Sequence, residues 1–134
     1  MIRKSALFLA LLTSILLWTT SLRTQENIST GNDIQVTEAR LGTSVENRMI
    51  VGEDSSFALN SKVFFWMRIT GASGAQISVT WKNGDLSHTA ELTIGGSPWR
   101  TWATKTVSMA GDWTVSVSDA SGNVLKQMMF RVNQ

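Results

Sequence analysis

Beyond Asp33, apolar and polar residues alternate with a period of two, in runs broken by clusters of Gly, Asn, Asp and Ser, and no run of ten residues keeps a helical period. Strict alternation puts successive side chains on opposite faces of a strand. The clearest case sets Ile77, Val79 and Trp81 against Gln76, Ser78, Thr80 and Lys82; Asn83-Gly84 follows, then Leu86, His88, Ala90, Leu92 and Ile94 in the same rhythm. Asn-Gly suits the two positive-φ positions of a type I′ turn. The pattern therefore predicts a hairpin with Lys82 opposite Asp85, Trp81 opposite Leu86 and Val79 opposite His88. Trp113, Val115 and Val117 repeat the alternation, a turn is expected at 119–123, and Met128, Phe130 and Val132 are in phase on a last strand, 124–132. Further strands are expected at 34–41, 48–51, 55–59 and 62–70. The reading is all-β: an antiparallel immunoglobulin-like β-sandwich of about seven or eight strands, with a small barrel as the second architecture.

Two runs break the rule of one apolar face. In 62–70, Val63, Phe65, Met67 and Ile69 share one side while Phe64, Trp66 and Arg68 share the other; in 99–107, Trp99, Thr101, Ala103 and Val107 oppose Arg100, Trp102 and Thr104. A two-layer sandwich gives each strand one core face, so the second apolar set needs another cover. A loop or an Arg side chain stacked on an indole would serve. Alternatively the rings stay open, and Arg100, Trp102, Thr104, Trp66 and Arg68 form a contact surface in which apolar area and hydrogen-bond direction come together.

The first residues have a different layout. Arg3 and Lys4 precede an apolar run, Ala6 to Trp18, broken only by Thr13 and Ser14. Thirteen such residues at about 1.5 Å each fall short of a bilayer core of about 30 Å, which favours an export signal over 1–21. The uncharged stretch from Ser5 to Leu22 also allows an uncleaved anchor, so any membrane contact is expected through residues 1–22 alone. Residues 22–33 are polar and contain Gly, the composition of a spacer, and include the sequon Asn27-Ile28-Ser29. The domain proper is 34–134, and its expected location is periplasmic or secreted. No Lys/Arg excess marks a nucleic-acid surface: the net charge of +2 comes from Arg3 and Lys4, with ten Lys/Arg against ten Asp/Glu thereafter. The chain has no Cys and one His, which removes thiol chemistry and most zinc sites.

The segment Trp99-Arg-Thr-Trp-Ala-Thr-Lys105, then Gly111-Asp-Trp-Thr-Val115, Asp119-Ala-Ser-Gly-Asn-Val-Leu125 and Phe130-Arg-Val132, resembles a bacterial family, the domain of unknown function numbered 2914. Its members end in a Trp-Arg-Thr-aromatic-Ser-Ser-Lys segment, a Gly-x-Trp-x-Val strand, an Asp-x-x-Gly-x-x-Leu turn and a closing Phe-x-Val. Phe64-Phe65, the Val79-Thr-Trp81 strand and Asn83-Gly84 extend the resemblance over Val36 to Val132. The family's hydroxyl pair is Ala103-Thr104 here, so any role of a first Ser is lost. The resemblance implies an all-β extracytoplasmic module and no assigned activity.

Catalytic chemistry finds little footing. His88 stands alone with no nucleophile elbow, and Asp85, Asp112 and Asp119 sit in turns, where Asp bonds local backbone. Asp119–Asn123 lacks the alternating ligands of a calcium loop, Gly95-Gly96-Ser97-Pro98 is too short to cradle phosphate, and Met109, Met128 and Met129 read as packing residues rather than copper ligands. The expectation is an exported module, not an enzyme, without metal or cofactor, that binds an envelope protein or cell-wall polysaccharide. A structural or tethering domain ranks second and a hydrolase third.

Overall fold

A computed structural model describes residues 34–71 and 73–134, and the signal, spacer and sequon assigned above lie outside the described residues. Ten strands form: β1 (Gln35–Gly42), β2 (Ser44–Glu46), β3 (Met49–Val51), β4 (Ser56–Ala58), β5 (Lys62–Thr70), β6 (Gln76–Asn83), β7 (Leu86–Thr93), β8 (Trp99–Thr106), β9 (Gly111–Asp119) and β10 (Val124–Asn133). Eight of them make two sheets, in the orders β1-β5-β8 and β4-β10-β9-β6-β7, while β2 and β3 pair only with each other. This is an immunoglobulin-like sandwich, with all pairs antiparallel except the parallel β4–β10. Of the β2–β3 hairpin, β3 answers to the strand expected at 48–51, while β2 is not foreseen by the sequence pattern.

Alternation explains the interior. Val63, Phe65, Met67 and Ile69 of β5 meet Ile77, Val79 and Trp81 of β6 and Trp113, Val115 and Val117 of β9 in one buried cluster. Aromatic rings lock its centre: Phe65 and Phe130 each meet Trp81 edge to face, and Trp113 stacks on Phe130 at 5.9 Å. An immunoglobulin domain carries a buried Trp on its third main strand, packed against a disulfide. Here β6 supplies Trp81 in that place, with Phe65 and Val115 against it instead of a cystine.

The β6–β7 hairpin forms in a different register from the expected one. Asn83 pairs Leu86, Trp81 pairs His88 and Val79 pairs Ala90, so the turn residues are Gly84 and Asp85 rather than Asn83 and Gly84. Only Gly84 has positive φ, at 58°. A glycine at the first central position followed by a residue of ordinary φ is the pattern of a type II′ turn. The shift is by two residues, so every side chain keeps its face. His88 lies on the exposed outer half of edge strand β7, not packed within the apolar face.

Candidate binding site

Pairing of β5 with both neighbours stacks the outer residues in rows: Arg40, Trp66 and Trp102; Glu38, Arg68 and Arg100; Gly42, Phe64 and Thr104. All five residues expected to form the contact surface thus share one sheet face. Trp99, out of phase with them as the first residue of β8, reaches the end of that face rather than its middle.

That face is not open. The β2–β3 hairpin packs over it, and Trp66 is wholly buried, its indole Nε1–H donating to the Arg48 carbonyl at 2.9 Å. Trp66 therefore offers no exposed ring, contrary to its place in an open aromatic patch: the hairpin supplies the missing cover for the second apolar set of β5. Trp102 is half-buried, Thr104 exposed, and Arg68 and Arg100 half-buried. Gly42 makes the close seating possible, since a Cβ there would stand 2.6 Å from the Val51 carbonyl oxygen and 2.7 Å from Ile50 Cγ1.

Where the hairpin meets the start of β8, a cavity of about 520 Å³ remains. Glu38, Arg48, Met49, Trp66, Arg68, Pro98, Trp99 and Arg100 line it. Arg48 belongs to the hairpin turn, in which Glu46 pairs Met49 and both central residues, Asn47 and Arg48, have positive φ (51° and 62°). That is the backbone of a type I′ turn, where Gly normally fills the second position. From there the Arg48 guanidinium lies 5.3 Å from the centroid of Trp99 and its Nη2 donates to the Arg100 carbonyl at 3.1 Å. Arg100 Nη1 donates in turn to the thioether of Met49. Trp99 leans into the space left by Gly95, where a Cβ would come within 2.7 Å of its ring.

The charges near the cavity are unevenly matched. Arg40 holds Glu38 through Nε and Nη2 at 2.9 and 2.7 Å and takes Glu53 as well, which raises its already high pKa, chiefly through the hydrogen bond to Glu38. Arg48, Arg68 and Arg100 have no carboxylate partner among the described residues. Sequence reasoning found Arg68 and Arg100 but read Arg48 as the start of the strand expected at 48–51, whereas it lies in the turn between β2 and β3. Asn47 between Val45 and Ile50 was the available turn signal. Among the described residues no three His, Asp or Glu side chains gather in a way that would hold a metal ion, and no helix is long and apolar enough to cross a membrane.

With this geometry in view, residues 75–132, which span β6 to β10, match the model of a family described as protein of unknown function (DUF2914). The likeness to that family is confined to this segment. The DUF2914 match starts after Phe64-Phe65, so it covers less of the domain than the resemblance read from sequence, and it includes Arg100 and Trp102 but neither Arg48 nor Arg68. No curated protein matches the chain. Among solved structures it is similar to the Pseudomonas fluorescens alkylpurine DNA glycosylase AlkC bound to DNA containing an abasic site analog, with a TM-score of 0.52 and 9% identity over 78% of this chain and 31% of that one. The chain spans under a third of the glycosylase, and at that identity the likeness is one of fold.

Proposed function

We propose that the chain is an exported, noncatalytic β-sandwich module that binds an envelope component, a protein or a wall polysaccharide, through the arginine-bearing end of its outer sheet face. Export rests on the basic start and apolar run of residues 1–21. The observation that carries the binding reading is the cavity beside Arg68 and Arg100, where guanidinium donors and the half-buried Trp99 line one hollow. Arg and Trp together supply strong directional contacts at low entropic cost. The test is retention of the purified protein on envelope fractions and on a glycan array. Wild type is expected to be held and Arg100→Gln to be lost with an unchanged melting temperature; equal retention of the two overturns the assignment of this site.

The burial of Trp66 under the hairpin favours a second reading, a structural or tethering domain without a small ligand. On that reading Trp102→Ala lowers the melting temperature by several degrees and leaves retention untouched.

A further inference from the structure

Resting on the binding reading, we infer that the cavity is an oxyanion site, built for a carboxylate or phosphate carried on a ring, with Arg68 and Arg100 as its base and Arg48 reaching in from the hairpin turn. Arg68 and Arg100 are direct cross-strand partners. Like charges so placed repel. The acidic residue across from Arg68 on the other side is Glu38, and Arg40 has already engaged it. The fold then brings a third cation onto this pair, by way of an Arg in a left-handed conformation that a Cβ disfavours. No carboxylate among the described residues pairs with any of the three.

The hydrogen bonds point the same way. A guanidinium carries five N–H donors. Arg48 directs one at the Arg100 carbonyl, Arg100 directs one at a thioether, which is a weak acceptor, and Arg68 has no acceptor among the described residues. The rest face the cavity or solvent, in the forked geometry that suits carboxylate and phosphate oxygens. Met49, Trp66, Pro98 and Trp99 give much of the remaining wall an apolar character, which fits a ring bearing the anion better than a bare ion, and the carboxylate that also lines it, Glu38, is paired with Arg40. Because basic residues are outnumbered by acidic ones elsewhere beyond Leu22, the site addresses one local anion rather than a polyanionic strand.

The experiment titrates the whole protein at low salt with acetate, inorganic phosphate, D-glucuronate and phenyl phosphate, and with glucose and phenol as neutral counterparts. Indole and guanidinium NMR shifts and the melting temperature are followed. Saturable shifts at Trp99 and the arginines are expected with the anions, roughly tenfold tighter for at least one ring-borne anion than for the bare ones, weakened by NaCl and absent for glucose and phenol. A preference for glucuronate identifies a sugar acid as the bearer, and a preference for phenyl phosphate an aromatic one. Arg68→Gln, which breaks no hydrogen bond of the side chain and relieves repulsion, is expected to hold or raise the melting temperature while lowering affinity about tenfold or more. Arg48→Gly, which relaxes the turn, is expected to weaken binding likewise. Neutral rings binding as well as charged ones, no saturation by either ring-borne anion at about 10 mM, or full affinity in Arg68→Gln overturns the oxyanion site. If envelope retention survives in Arg68→Gln, the binding module stands with another ligand; if wild type itself is not retained, the binding reading falls too.

Discussion

Trp66 and Trp81 are both wholly buried, but in different kinds of surroundings. Trp81 lies between two full sheets, at a steep angle to Phe65 and Phe130, and its Nε1–H has no acceptor among the described residues. Trp66 lies outside the sandwich, under a hairpin of two three-residue strands, and its Nε1–H is satisfied by the Arg48 carbonyl. Leaving a buried donor unpaired costs about 1–3 kcal/mol, and only dense apolar packing offsets that. The outer indole has less packing and needs its hydrogen bond. Burial inside the sandwich and outside it therefore rests on different physics, and the outer layer should open at lower free energy than the core.

Substituting the two indoles puts this contrast to its strongest test. Trp81→Ala removes a ring from a core that cannot collapse around the gap and is expected to cost about 3–5 kcal/mol, lowering the melting temperature by roughly 15 °C or more. Trp66→Ala leaves a space that the hairpin or solvent can fill, so about half that loss is expected. Denaturant titrations measure both, and equal losses would make the hairpin an integral part of the core.

Gly42→Val aims at the outer layer alone. The new side chain meets the Val51 carbonyl oxygen, a backbone atom with no rotamer to change, so the hairpin must lift. A loss of about 1–3 kcal/mol is expected. The Thr43 amide, bonded to that carbonyl at 3.0 Å, should exchange faster and Trp66 emission should shift to the red, while amides of β6 and β9 keep their relative protection. Uniform loss of protection would erase the distinction between the layers.

How far the sequence carries follows from the same contrast. Period-two alternation reports which side a residue faces, and on that basis Trp66, Arg68, Arg100, Trp102 and Thr104 were correctly placed on one surface. It does not report what lies above that surface. The cover comes from β2 and β3; a strand at 48–51 is expected, but three-residue strands are too short for a period to show which way they fold back. The site's third cation is harder still to foresee, because an Arg at φ 62° is held by its contacts with Trp99 and Arg100, which are remote in sequence. The β6–β7 register fails for a subtler reason. Asn83-Gly84 and Gly84-Asp85 are both acceptable two-residue turns, and they preserve facing equally. The Lys82/Asp85 charge pair favours the first. The second keeps Asn83 in the ladder, with its amide donating to the Ala110 carbonyl at 3.3 Å, a partner that hairpin chemistry alone does not include.

The smallest expected effect belongs to a third region, held by polar contacts alone. At the β9–β10 turn, the Asp119 carboxylate accepts from the amides of Ser121 and Asn123 and from the Asn123 side chain. These bonds, those from Asn123 foremost, favour the charged form and hold its pKa below the ordinary carboxylate value. In the unfolded chain the group titrates at that ordinary value. The turn's contribution is therefore complete above it, and is lost as pH falls through the lower folded value. Amide shifts of Ser121 and Asn123 should titrate with a midpoint below the usual carboxylate range, while the core amides around Trp81 stay unmoved. Asp119→Asn should abolish that titration with little change in stability at neutral pH, because the side chain is exposed and water replaces much of what is lost. A midpoint at the ordinary value would mean that the turn's bonds do not survive in solution. By extension, a single hydrogen bond such as that from Trp66 to Arg48 would be too weak a tether for the hairpin, and apolar contact would have to hold the outer layer as it holds the inner one.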